Sequence, residues 1–97
     1  MINIKYTKNS ISVAGHACQA KKGQDIVCAA TSGIFFGAAL GWFKKNETRM
    51  YVECGNGLKL ELVKKTKANQ LLIELLVKQL TILAKNNKKY IKITKGR

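Results

Sequence analysis

The chain has no proline, one histidine, three cysteines and five acidic residues in a length of 97. With 46% apolar residues, the lack of proline argues against a disordered or low-complexity segment and for a folded globule. Three cysteines are an odd number at irregular spacing. The opening "MINIKYTKNS" lacks the apolar stretch that a secretory signal needs. A disulfide framework is therefore not expected, and the thiols suit a reducing cytoplasm. No repeat and no linker divides the sequence, so it reads as a single domain over 1–97.

Arginine is scarce too. The formal net charge is +13, yet only Arg49 and Arg97 of the eighteen basic residues are arginine. The forked guanidinium is the favoured reader of phosphates and bases, so a lysine-rich surface is a weaker nucleic-acid signature than the charge alone suggests. Abundant lysine, asparagine and isoleucine fit an A/T-rich coding bias. The positive field is nonetheless real, and its lysines suit a weak contact with ribosomal RNA or another polyanion.

What is present is alternation. Ile2, Ile4 and Tyr6 alternate with polar residues before Asn9-Ser10 turns the chain into "ISVAGH". "TRMYVEC" and "LKLELVK" form a second hairpin around Gly55–Gly57, and "YIKIT" is a last strand. A helix is expected over about Lys67–Asn86, with Leu72, Leu75, Leu76, Leu80 and Leu83 on its core stripe, Lys78 and Lys85 wet, and Thr66 or Asn69 as cap. The order β-β-α-β-β-α-β predicts an α+β sandwich, two helices packed on a mainly antiparallel sheet.

The other helical segment, Ile26 to Phe43, carries no charge in eighteen residues and spaces Gly33, Gly37 and Gly41 at intervals of four. Such spacing also suits a membrane helix, but three glycines, Thr31 and Ser32 dilute the run. The expectation is a soluble helix whose glycine face lies close to the sheet while Ile34, Phe35 and Leu40 fill the core.

The chemistry sits in "GHACQAKKGQDIVCAATS", Gly15 to Ser32. Asp25 is a good N-cap type just before an apolar run, which would put Cys28 in the first helical turn. There the unpaired amides and the helix dipole favour a thiolate and can receive an oxyanion. His16 ends the second strand, so histidine as acid–base and cysteine as nucleophile, with a polar loop containing Gly23 between them, form a plausible dyad. A structural histidine and a packing cysteine are the plainer reading. Cys18 is a rival thiol without a helix end beside it. A zinc site from His16, Cys18, Cys28 and Cys54 is disfavoured, because no pair of cysteines has the short gap of a knuckle, and neither metal nor cofactor is called for.

These residues resemble the bacterial ribosomal-processing cysteine proteases of the Prp family. The match runs through Gly15-His16-Ala17, Gly23, Asp25-Ile26, Cys28-Ala29-Ala30 and Ser32. The resemblance implies a cytoplasmic cysteine endopeptidase. It would remove the N-terminal extension of the twenty-seventh large-subunit ribosomal protein after an aromatic residue, during ribosome maturation. It assigns His16 and Cys28 to catalysis, with Asp25, Ser32, Gly15 and Gly23 in support, and implies a homodimer. Phe35, Phe36, Trp42 and Tyr51 are candidates for an aromatic-binding pocket. The family is generally more acidic than this chain. The competing reading of the +13 charge is a non-catalytic RNA-binding accessory protein of the ribosome.

Overall fold

The computed structural model describes residues 1–15, 22–52 and 57–96, with side chains of the first helix from Ile26 onward. Among the described residues, five strands and two helices follow in the expected order: β1 (Ile2–Tyr6), β2 (Ser10–Ala14), α1 (Lys22–Gly41), β3 (Thr48–Val52), β4 (Leu58–Leu62), α2 (Lys67–Lys85) and β5 (Ile91–Lys95). The sheet order is β3-β4-β2-β1-β5. Every pairing is antiparallel except that of β1 with β5.

The alternation of the sequence becomes one-sided burial. Cross-strand neighbours share a face, and the register aligns Ile4 with Val13 and Ile93, and Ile11 with Leu60. Ile2, Ile4, Ile11, Leu60, Leu62 and Ile91 form a single buried cluster with Val27, Phe35 and Ala38 of α1 and with Ile73, Leu76, Leu80 and Ala84 of α2. Both helices therefore cover the same face of the sheet. β3 is an edge strand, and its helix-side residues Met50 and Val52 stay exposed.

The first hairpin turns tightly over Thr7–Asn9, so Ser10 already belongs to β2. The Thr7 and Ser10 hydroxyls lie 2.8 Å apart, and the Asn9 amide donates to Thr7 Oγ1. Gly15 follows β2 with φ +87°, and a Cβ there would collide with the Met1 carbonyl oxygen. Glycine is thus required on two grounds, backbone conformation and close approach. Of the second hairpin's loop, residues 53–56 lie outside the described residues.

Helix α2 begins as expected. Thr66 is extended, and its side chain accepts a hydrogen bond from the Asn69 amide at 3.1 Å. Asn69 is not the cap. It is buried and donates through Nδ2 to Glu47 Oε1 and the Lys64 carbonyl, tying the turn before β3 to the start of α2. The buried stripe is Asn69, Ile73, Leu76, Leu80 and Ala84. It is rotated from the expected leucine stripe, so Leu72 and Leu83 are half-buried and Leu75 is 45% exposed.

Helix α1 departs further. Val27, Thr31, Phe35 and Ala38 are its buried positions. The Thr31 hydroxyl is satisfied by the Val27 carbonyl at 2.9 Å, so a polar residue sits in the core without penalty. The glycine face expected against the sheet points outward instead. Gly33, Gly37 and Gly41 are exposed with open space where a Cβ would stand, and Leu40, expected in the core, is 74% exposed. Bulky Phe35 needs the depth between helix and sheet, and turning it inward carries the small residues out. Among the described residues no helix is long and apolar enough to cross a membrane.

Leu76→Ala is expected to cost about 2–5 kcal/mol in urea unfolding, because Leu76 is fully buried, whereas Leu75→Ala should cost less than about 1 kcal/mol. Gly15→Ala should destabilise the fold by roughly 1–3 kcal/mol through its strained backbone alone, read in the same denaturation series.

Candidate active site

Of the residues singled out for catalysis, Cys28, Ser32 and Gly15 are described with their surroundings. Gly23 and Asp25 are described as helical backbone, and His16, Cys18 and Cys54 lie outside the described residues. Cys28 is half-buried on α1, next to buried Val27, and packs against the main core. Ser32 follows one helical turn later on the same side and is exposed. The nucleophile candidate thus stands at the boundary between core and solvent, held in a rigid helix rather than a loop.

The helix start differs from expectation, and this changes the chemistry. α1 begins at Lys22, so Asp25 lies within the helix and is not its N-cap. The helix runs through Gly23 despite that residue's poor helical propensity. Lys22, Gly23 and Gln24, expected in the loop, are therefore helical. Cys28 is in the second turn, where its own amide belongs to the regular i to i−4 ladder. The unpaired amides and most of the dipole's effect are confined to the first turn. Activation of the thiol by the helix end, and an oxyanion site built from those amides at Cys28, do not follow from this geometry.

Gly15 is the last described residue on the β2 side of the motif. β2 pairs with β1 up to Ala14 opposite Asn3, and Gly15 then bends the chain over Met1. The backbone is thus pinned at the residue immediately before His16. Seven residues, 15 to 21, separate the last residue of β2 from the first of α1.

The aromatic candidates separate by face. Phe35 is buried in the core, and Phe36 meets it edge to face at 5.4 Å. Trp42 is half-buried against the same core. Tyr51 lies on the opposite side of the sheet from the helices, under the Arg49 guanidinium at 5.7 Å, so it cannot share a pocket with Cys28. Arg49 also bonds Glu61 at 2.6 Å and, by that hydrogen bond first, holds the Glu61 carboxyl below its ordinary range.

The chain is similar to known proteins in both sequence and fold. The family described as "Cysteine protease Prp" matches residues 1–92. The ribosomal processing cysteine protease Prp of Mycoplasma pneumoniae is 40% identical over 92 residues, covering 94% of this chain and 91% of that one. Its counterpart in Mycoplasma genitalium is 49% identical over 47 residues, 48% of this chain and 46% of that one. Among solved structures, a Staphylococcus aureus Prp with a covalently linked product peptide superposes with a TM-score of 0.79 at 22% identity, covering 99% of this chain and all of that one. A Streptococcus mutans protein superposes at 0.78 with 25% identity, covering 98% and 93%. The likeness to the S. aureus structure shows the fold, and the family match with the M. pneumoniae relative shows the kinship: the chain belongs to the Prp family of ribosomal-processing cysteine proteases and is a cysteine peptidase.

Proposed function

We propose that this chain, acting as a single peptidase domain over residues 1–97, removes the N-terminal extension of the twenty-seventh large-subunit ribosomal protein by a Cys28–His16 dyad. The observation that carries the reading is the motif from Gly15 to Ser32 within a chain that matches the family over residues 1–92. The S. aureus relative is described with a substrate peptide and with a covalently linked product peptide, which supports a peptide substrate here.

In this mechanism His16, the sole histidine, takes the Cys28 proton. The thiolate attacks the carbonyl that follows an aromatic side chain, and the C–N bond breaks as His16 returns the proton to the leaving amine. Water, deprotonated by His16, then hydrolyses the thioester and restores the thiol. Since Cys28 lies beyond the first helical turn, thiolate formation depends on the imidazole rather than on the helix dipole. The pinned backbone at Gly15 supports that role by restricting where His16 can start. Asp25 is left with orientation of His16, and Ser32 with a hydrogen bond near the substrate.

The surroundings are the cytoplasm, where thiols stay reduced and ribosomes mature. The enzyme works as a homodimer. Its outward face of Gly33, Gly37 and Gly41, beside exposed Ile26 and Leu40, supports close helix contact between two copies. Lysine contacts with ribosomal RNA belong to the same setting.

Cys28→Ala should lower cleavage of a synthetic tail peptide by at least about a thousandfold while thermal unfolding stays near that of the parent. His16→Ala should do the same, whereas Cys18→Ser should keep most activity. Normal processing by the Cys28 variant would falsify the assignment. Gly37→Glu should convert the dimer to a monomer in light scattering, because the added side chain meets open space within one subunit but not across a helix contact.

A further inference from the structure

The side of the sheet away from the helices has its own composition. The strand register lines up Tyr51, Lys59, Ser12, Lys5 and Thr94 in one row across all five strands. At the usual interstrand spacing the row is about 19 Å wide. One step along the strands, Lys92 lies beside Asn3. One step the other way, Arg49 lies beside Glu61, the only carboxylate on this face among the described strand residues, and is bonded to it. Lys5, Lys92 and Thr94 are exposed, and apart from Ala14 the strand residues of the face are polar or aromatic. The result is a flat, hydroxyl- and ammonium-bearing surface with an aromatic ring at one edge, stacked under a guanidinium.

We infer that this open sheet face binds single-stranded segments of RNA, which deepens the ribosome-maturation reading and takes from it only the choice of RNA as the polyanion. The charge is complementary to a phosphate chain, and the row is wide enough for a few successive phosphates. Lysines positioned by a rigid sheet supply backbone contacts without base readout, in keeping with the scarcity of arginine. Tyr51, at the edge with the Arg49 guanidinium over its ring, supplies with it a planar, positively charged pair on which a base can stack. An anionic membrane is the less suitable partner, because the face has no large aliphatic side chains to enter the acyl boundary. The face is also separate from Cys28, which lies on the helix layer, so RNA and peptide can be held at once.

The test is fluorescence anisotropy with a labelled, mixed-sequence, single-stranded RNA of about twenty nucleotides, across about 50–200 mM salt. Lys5→Gln with Lys92→Gln should weaken binding at least about fivefold at the lower salt and reduce the salt slope by about 1.4, two phosphate contacts' worth. Lys78→Gln with Lys85→Gln, an equal charge loss on exposed α2 positions, should change affinity less than about twofold. Tyr51→Ala should weaken it by a further factor of about five or more. Equal losses in the two lysine pairs would overturn the proposal, because binding would then follow overall charge. Tighter binding to phosphatidylserine vesicles than to RNA would overturn it as well. Cleavage of the tail peptide by the Lys5/Lys92 variant should be unchanged, and Cys28→Ala should keep its RNA affinity. Failure of the peptidase reading and failure of this one are thereby told apart.

Discussion

The fold depends on one constraint: β1 has hydrogen-bonded neighbours on both sides, and all its apolar side chains point one way. Ile2 and Ile4 each face an apolar partner across at least one neighbour, Ile91 and Ile93 on β5 and Val13 on β2. A one-residue slip of β1 would turn both isoleucines to water and put Asn3 and Lys5 under the helices. The same register holds Gly15 over Met1, and so fixes the point from which the chain leaves toward His16. Core stability and the course of the chain up to Gly15 are therefore one requirement, met by one strand.

From that strand outward, legibility in the sequence tracks how strongly a pattern was one-sided. The strands were readable because isoleucine and leucine alternate with lysine, serine and glutamate, a pattern that admits a single buried face. The cap of α2 was readable because Thr66 precedes an apolar period of 3.6 and its hydroxyl has an obvious amide to accept. The exact stripe was not, since leucines spread over about half of that helix's circumference and only packing decides which of them meet the sheet. Leu75 and Leu76 are chemically equal in sequence and opposite in fate.

Helix α1 was harder for a related reason. It is apolar all round, so its period does not orient it, and the close contact that small residues would suit is made by Phe35 and Thr31. Local preference points to Asp25 as cap and Gly23 as loop, whereas the helix extends through both. The chemical cost is specific: the thiol is one turn too deep to draw on the helix end. The motif that carries the family kinship survives this change, since it names residues rather than the local geometry that activates them.

The parallel pairing of β1 with β5 has a temporal meaning. β1 gains its second neighbour only from β5, some eighty-five residues further along the chain, with α2 between them. Such long-range closure is slow relative to local contacts and waits for the distal segment to be available. A nascent copy whose β5 is still inside the exit tunnel thus holds an unfinished sheet, with one side of β1 unpaired and Ile2 and Ile4 each short of a neighbour.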